Sequence, residues 1–276
     1  MTIGNGPPIM VLGIRPRSGT NFLCDIINQH PDVARPNPID EDYFLAHADK
    51  LESFAEGLGS HWKNLSRPVP PSAPDEVLAA LGVGLLGWLT VLSQGKRVLT
   101  KSPLPGRLDL FPKLFPSAKL LIIVRDGRSV VESHMRSWPQ DGRFGPDLFR
   151  GLINAWVEGA ETIQRFREQH SVMDHPYMLV RYEDLVREPV ERATAILEFL
   201  ELDLSLYDVG ALSALPVRGS STFGRVPGGA IDWKPIERTA DFDPLMRWES
   251  WTSDQHHSFN QLAGRAMSGF GYLLER

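Results

Sequence analysis

Arg17, Ser18, Gly19, Thr20 and Asn21 follow one another, and a guanidinium, a hydroxyl, a glycine, a second hydroxyl and a carboxamide in that order can hold an anion. The apolar run Ile9-Met10-Val11-Leu12 precedes them and breaks at Gly13. Phe22, Leu23, Ile26 and Ile27 follow on one face of a helical pattern. Strand, glycine-containing loop and helix form a phosphate cradle. The first N–H groups of a helix have no intrahelical partner, and the aligned peptide dipoles add roughly half a positive charge there. Arg17 adds a whole one. The expected ligand is a phosphorylated or sulfated nucleotide. The simpler reading is a plain helix N-cap at Ser18 or Thr20. A kinase loop would read G-x-x-x-x-G-K-[ST]; here Thr20 follows Gly19, and the cation precedes the glycine.

The elements that must position this loop alternate along the chain. Short apolar segments at Ile9–Leu12, Arg97–Thr100, Leu120–Val124 and Tyr177–Val180 lack polar alternation, which suits strands covered on both faces. Helical patterns cover Thr20–Gln29, Asp75–Ser93, Arg128–Ser137, Asp147–Gln169, Pro189–Leu200 and about Ser253–Ser268. The expected fold is α/β: a P-loop-like three-layer arrangement with a central parallel sheet flanked by helices, as one domain over residues 1–276. Trp138–Pro146 and Val217–Ala230 read as loops beside the site.

Composition narrows the function. The chain is 42% hydrophobic and 23% charged, as an ordinary globular protein is. A formal charge of -5 gives no basic field to draw nucleic acid. The one cysteine, Cys24, excludes an intrachain disulfide and reads as a small core residue. No metal site is visible. The apolar stretch Leu78–Leu92 is interrupted by glycines and shorter than the roughly 20 residues of a membrane span, so it reads as a buried helix. Only Met1 to Pro8 precede the first strand, so no leader peptide, no membrane partner and a cytoplasmic location are expected.

The order Pro16-Arg17-Ser18-Gly19-Thr20 resembles the 5′-phosphosulfate loop of sulfotransferases that use 3′-phosphoadenosine 5′-phosphosulfate (PAPS). The run into His30-Pro31-Asp32-Val33 is similar to the start of the tyrosylprotein and heparan branches and their bacterial relatives. The resemblance implies PAPS as donor and PAP as product. It makes Arg17 the loop cation, with Ser18, Gly19, Thr20 and Asn21 as donors around the phosphosulfate. Arg125 ends a strand and Ser133 lies eight positions on, the pair that holds a 3′-phosphate in this family. A planar guanidinium suits a phosphate dianion. By the same resemblance Tyr182 lies beside the adenosine, and Arg225 and Gly228 belong to a late loop closing over the 3′-phosphate. The two cationic pockets are expected to be separate, gripping opposite ends of one nucleotide.

Transfer to a hydroxyl needs a base, and the resemblance supplies one. Where small-molecule sulfotransferases have a histidine, this chain has Lys101-Ser102-Pro103, and Pro103 accepts no proton. In the heparan and tyrosylprotein branches a glutamate after His-Pro-Asp-Val does this work; Glu41 takes that place, with Asp40 second because the loop is slightly longer. Neighbouring carboxylates raise one another's pKa, which suits a base. The alternative is a solvated acidic turn at Asp40-Glu41-Asp42. Lys101, at the end of a strand, would stabilise the developing charge. The implied acceptor is a hydroxyl or amine of a small molecule or carbohydrate. The competing function is a Mg²⁺-dependent P-loop kinase with Asp126 as the metal-holding carboxylate. The oligomeric state is not legible.

Overall fold

A computed structural model of the chain describes residues 6–65, 68–139, 141–144, 147–170, 175–215 and 244–273. Five strands form one parallel sheet: β1 (Ile9–Gly13), β2 (Val33–Ala34), β3 (Arg97–Ser102), β4 (Lys119–Val124) and β5 (Tyr177–Arg181), in the order β2-β3-β1-β4-β5. Helices α1 (Thr20–Ile27), α2 (Ala48–Asn64), α3 (Ala73–Leu92), α4 (Phe111–Leu114), α5 (Gly127–Ser137), α6 (Leu148–Gln169), α7 (Tyr182–Arg187), α8 (Pro189–Phe199) and α9 (Ser253–Ser268) accompany it.

The side-chain period of two explains the three layers. Met10, Leu12, Leu120, Ile122 and Val124 face one way, into a core with Phe111, Trp156 and Phe259. Ile9, Val11, Leu99, Leu121 and Ile123 face the other way, against Leu23, Ile26, Ile27, Ile196 and Leu197. Both faces are covered, so the central strands β1 and β4 read as nearly unbroken apolar runs. Cys24 is fully buried in the second layer, and burial pushes its thiol up to about 12, as a core residue requires.

The connections after β1 and β4 leave the sheet in opposite directions. That divergence opens a crevice at the carboxyl ends of these two adjacent strands, where open α/β sheets bind ligands.

The expectation of a buried helix at Leu78–Leu92 needs correction. α3 buries only a stripe comprising Ala73, Leu78, Gly82, Leu86 and Leu89, while Val83, Trp88 and Val91 are exposed. Its length and composition are those of a helix able to cross a membrane. Apolar character all round hid the stripe, because periodicity needs polar residues to show it.

Candidate active site

The loop after β1 is shaped by two left-handed residues, Arg17 (φ 80°) and Gly19 (φ 97°). Ser18 is fully buried; its hydroxyl accepts from the Arg15 N–H at 3.0 Å and donates to the Arg15 carbonyl. The Ser18 side chain therefore closes the loop rather than facing a ligand. Gly19 itself caps α1, without a side-chain cap, so neither Ser18 nor Thr20 is the plain N-cap the sequence also allowed. A β-carbon at position 19 would lie 2.3 Å from the Tyr182 ring. Only glycine satisfies both the turn and that close approach. Thr20 and Asn21 occupy the first turn, with Thr20 buried and Asn21 half-buried.

Arg125, just beyond β4, is held from several sides. The Trp156 indole donates to its carbonyl at 3.2 Å. The next N–H, of Asp126, donates to Glu183, whose other oxygen accepts from Tyr272. The Arg125 guanidinium lies 4.3 Å over the Tyr182 ring and donates to the carbonyls of Arg17 (2.8 Å) and Pro244. Its Nε is buried without a hydrogen-bond partner. Arg17 donates to Ser133 Oγ at 3.1 Å, with its guanidinium 5.7 Å from the Trp138 ring.

The two expected cationic pockets thus adjoin. β1 and β4 are sheet neighbours, so the loop after one and the helix after the other share a wall. Burial, then Arg125 and Arg247, pull the Arg17 guanidinium down to about 9. A partly buried cation beside like charges is costly, and a bound anion offsets that cost. Together with the unpartnered Arg125 Nε and the glycine-lined turn, these residues fit a nucleotide carrying phosphates. Arg225 and Gly228 lie outside the described residues.

The carboxylates gather at the end of β3. Lys101 is 1% exposed, and its Nζ lies 2.8 Å from Glu41 Oε1 and 3.2 Å from Asp40 Oδ2. Asp40 is the outer of the two, its side chain 67% exposed against 28% for Glu41, and it also pairs with Arg35. The solvated acidic turn is therefore corrected: a buried ammonium organises it. Asp42, which sequence reasoning did not single out, points inward. It accepts from the Phe44 N–H at 2.9 Å and the Thr100 hydroxyl at 2.7 Å, and burial raises it to about 6. The available signal was an aspartate two residues before the N–H it caps.

Across the site, His134 is buried against Trp138 and bonds Asp141 at 3.0 Å, with Arg143 on the same carboxylate. Burial lowers the His134 pKa. Asp126, the metal carboxylate of the kinase reading, caps α5 through the Arg128 N–H and takes two side-chain nitrogens of Arg128. Both its oxygens are committed. Among the described residues no group of three or more His, Cys, Asp or Glu is placed to hold a metal.

A model of the sulfotransferase family matches residues 7–205. A protein-tyrosine sulfotransferase of Drosophila melanogaster is 27% identical over 202 residues, 71% of this chain and 38% of that protein. Protein-tyrosine sulfotransferase 2 of Gallus gallus is 24% identical over 251 residues, 87% of this chain and 63% of that one. The chain thus spans about 38% to 63% of the length of these curated relatives. Among solved structures, the sulfotransferase domain of the Synechococcus olefin synthase superposes with TM-score 0.59 at 24% identity, covering 99% of this chain and 97% of that one. A mouse sulfotransferase complexed with PAP gives 0.54 at 14%, covering 96% and 86%. These structures share the parallel sheet. With its model matched from residue 7 to residue 205, the chain belongs to the sulfotransferase family.

Proposed function

We propose that this chain transfers the sulfuryl group of PAPS to a hydroxyl acceptor, with Glu41 as general base. The observation that carries the reading is the Arg17 guanidinium donating to Ser133 while Arg125 donates to the Arg17 carbonyl, two cations brought together at one loop. The donor substrate supplies an activated sulfur with a phosphate as leaving group. Arg125 and Ser133 bind its 3′-phosphate, and Tyr182 stacks under the Arg125 guanidinium to fix its plane. Arg17 and the free N–H groups at the start of α1 take the phosphosulfate and stabilise the charge that develops. Lys101 orients Glu41, which removes the acceptor proton at Oε2, for roughly 10²–10⁴ in rate. Asp126, the carboxylate a metal-dependent kinase would need at this place, is bound by Arg128.

The acceptor we favour is a phenol. Two matched relatives are named for protein tyrosine, which supports that class among the small-molecule and carbohydrate hydroxyls and amines the sequence left open. Calorimetry in EDTA tests the donor: adenosine 3′,5′-bisphosphate binds without metal, and ATP binding that depends on Mg²⁺ overturns the reading.

A further inference from the structure

Tyr43 puts a hydroxyl on the carboxylate read above as the base. Its φ of 50° is left-handed, a conformation rare for a bulky residue and found where structure over-determines it. Its neighbours supply that determination: the Asp42 N–H donates to the Lys101 carbonyl at 2.9 Å, and the Asp42 carboxylate holds the Phe44 N–H. The turn is thereby fastened to the end of β3, with the phenol folded back over the base. The Tyr43 hydroxyl donates to Glu41 Oε2 at 2.5 Å while Lys101 holds Oε1 at 2.8 Å. A hydroxyl nucleophile within hydrogen-bond reach of a base, itself oriented by a third group, is the arrangement that nucleophilic chemistry requires.

Two further observations single this residue out. The chain has five tyrosines, at 43, 177, 182, 207 and 272. Tyr182, Tyr207 and Tyr272 are buried, and Tyr177 is half-buried against Phe166. Tyr43 alone is exposed, at 36%. Partial desolvation of the phenol, then its bond to Glu41, raise its pKa, so at neutral pH the group carries the proton a base must take. Arg143 is near enough to act on the phenol as a positive charge.

We propose that this chain sulfates its own Tyr43, an inference that rests on the donor reading above. The Tyr43 oxygen forms a bond to sulfur, and the bond from sulfur to the phosphate oxygen breaks. The electron pair of that bond leaves with PAP, and the phenol proton passes to Glu41. The product is a tyrosine sulfate ester, which has no hydrogen to donate to Glu41. Each chain therefore reacts once.

The purified chain is incubated with PAPS and no acceptor, then read by intact mass and peptide mapping. One sulfuryl group per chain on Tyr43, with one PAP released and a rate independent of protein concentration, is expected. Tyr43→Phe takes no label and still binds PAP. Glu41→Gln binds PAP and labels about 100-fold more slowly or worse. An unlabelled Tyr43 in protein that binds PAP overturns this proposal alone, as does label on other tyrosines or a rate second order in protein. Failure to bind PAP overturns the donor reading and this proposal with it.

Discussion

Lys101 Nζ sits 2.8 Å from Glu41 Oε1 and 3.2 Å from Asp40 Oδ2, so one buried ammonium is shared between two carboxylates. A buried lysine with one partner would be left as an uncompensated charge if that partner were removed, a loss of roughly 3–5 kcal/mol. Here the second carboxylate stays. Glu41 can therefore be neutralised without unfolding its surroundings, and base and fold are separable by mutation.

Glu41→Gln is expected to lower turnover by roughly 10²–10⁴ while the melting temperature and PAP affinity stay near those of the native chain. The amide keeps the size of the side chain and its acceptor oxygen for Lys101. Calorimetry and a turnover assay on the same preparation measure both halves. Activity within tenfold of native removes Glu41 from the role of base.

Lys101→Met separates orientation from charge. Methionine fills the buried stem but leaves Glu41 and Asp40 facing each other without a cation. We expect the pH profile of turnover to shift upward, because like charges raise a carboxylate pKa. An unshifted profile with only a reduced maximum assigns Lys101 to the transferring group instead.

Gly19→Ala meets two obstacles. The backbone at φ 97° is strained for any residue with a β-carbon, at about 1–3 kcal/mol, and the new methyl runs into the Tyr182 ring. Because Arg125 lies over that ring, displacing Tyr182 moves the guanidinium as well. Thermal melting should fall by several degrees, and PAP binding should weaken at least tenfold. Unchanged PAP binding means the close approach of loop and ring has no part in nucleotide recognition.

The sequence made parts of this site legible for physical reasons. β1 and β4 are apolar because both faces of the sheet are covered, and a continuous run is easy to see, while β5 shows Tyr177–Val180 and β3 only Val98-Leu99. The Arg17–Asn21 loop lay directly after the first of them, so its place was fixed by adjacency. The edge strand β2 was missed because two residues carry no period, and α2 because its buried positions are the small residues Ala48, Ala55 and Gly59, which mark no apolar stripe. Adjacency of Arg17 to Ser133 was also missed. They are 116 positions apart in sequence, and only the neighbouring of β1 and β4 brings them together. Asp42 escaped for the opposite reason: three consecutive acids look alike in sequence, and burial distinguishes them only once the turn is built.

Asp42 makes a pH prediction. Its folded pKa, raised to about 6 by burial, exceeds the roughly 3.9 of an unfolded aspartate. Between those values the folded state binds more protons than the unfolded one, so stability falls as pH rises through this window. Above about 6 the full cost of the buried charge is present, on the order of 2–3 kcal/mol. Asp42→Asn keeps the acceptor for the Phe44 N–H and can bond the Thr100 hydroxyl. Relative to native, the variant should gain stability from pH 4 to pH 6.5, since other titrating groups cancel in the difference. A difference flat with pH refutes the raised carboxylate.

Arg125→Lys tests which phosphate this residue serves. The guanidinium stacks on Tyr182 and donates to the Arg17 carbonyl at once, which needs a flat, forked group. An ammonium is a point charge and cannot do both. If Arg125 and Ser133 hold the 3′-phosphate, the variant loses affinity for adenosine 3′,5′-bisphosphate by tenfold or more, about 1.4 kcal/mol. It should lose much less for adenosine 5′-phosphate, which lacks that group. Because Arg125 also braces the Arg17 backbone, some general weakening is expected for both ligands. The ratio of the two losses carries the assignment: equal losses mean Arg125 acts only as a brace for the loop, and the 3′-phosphate must then be held elsewhere.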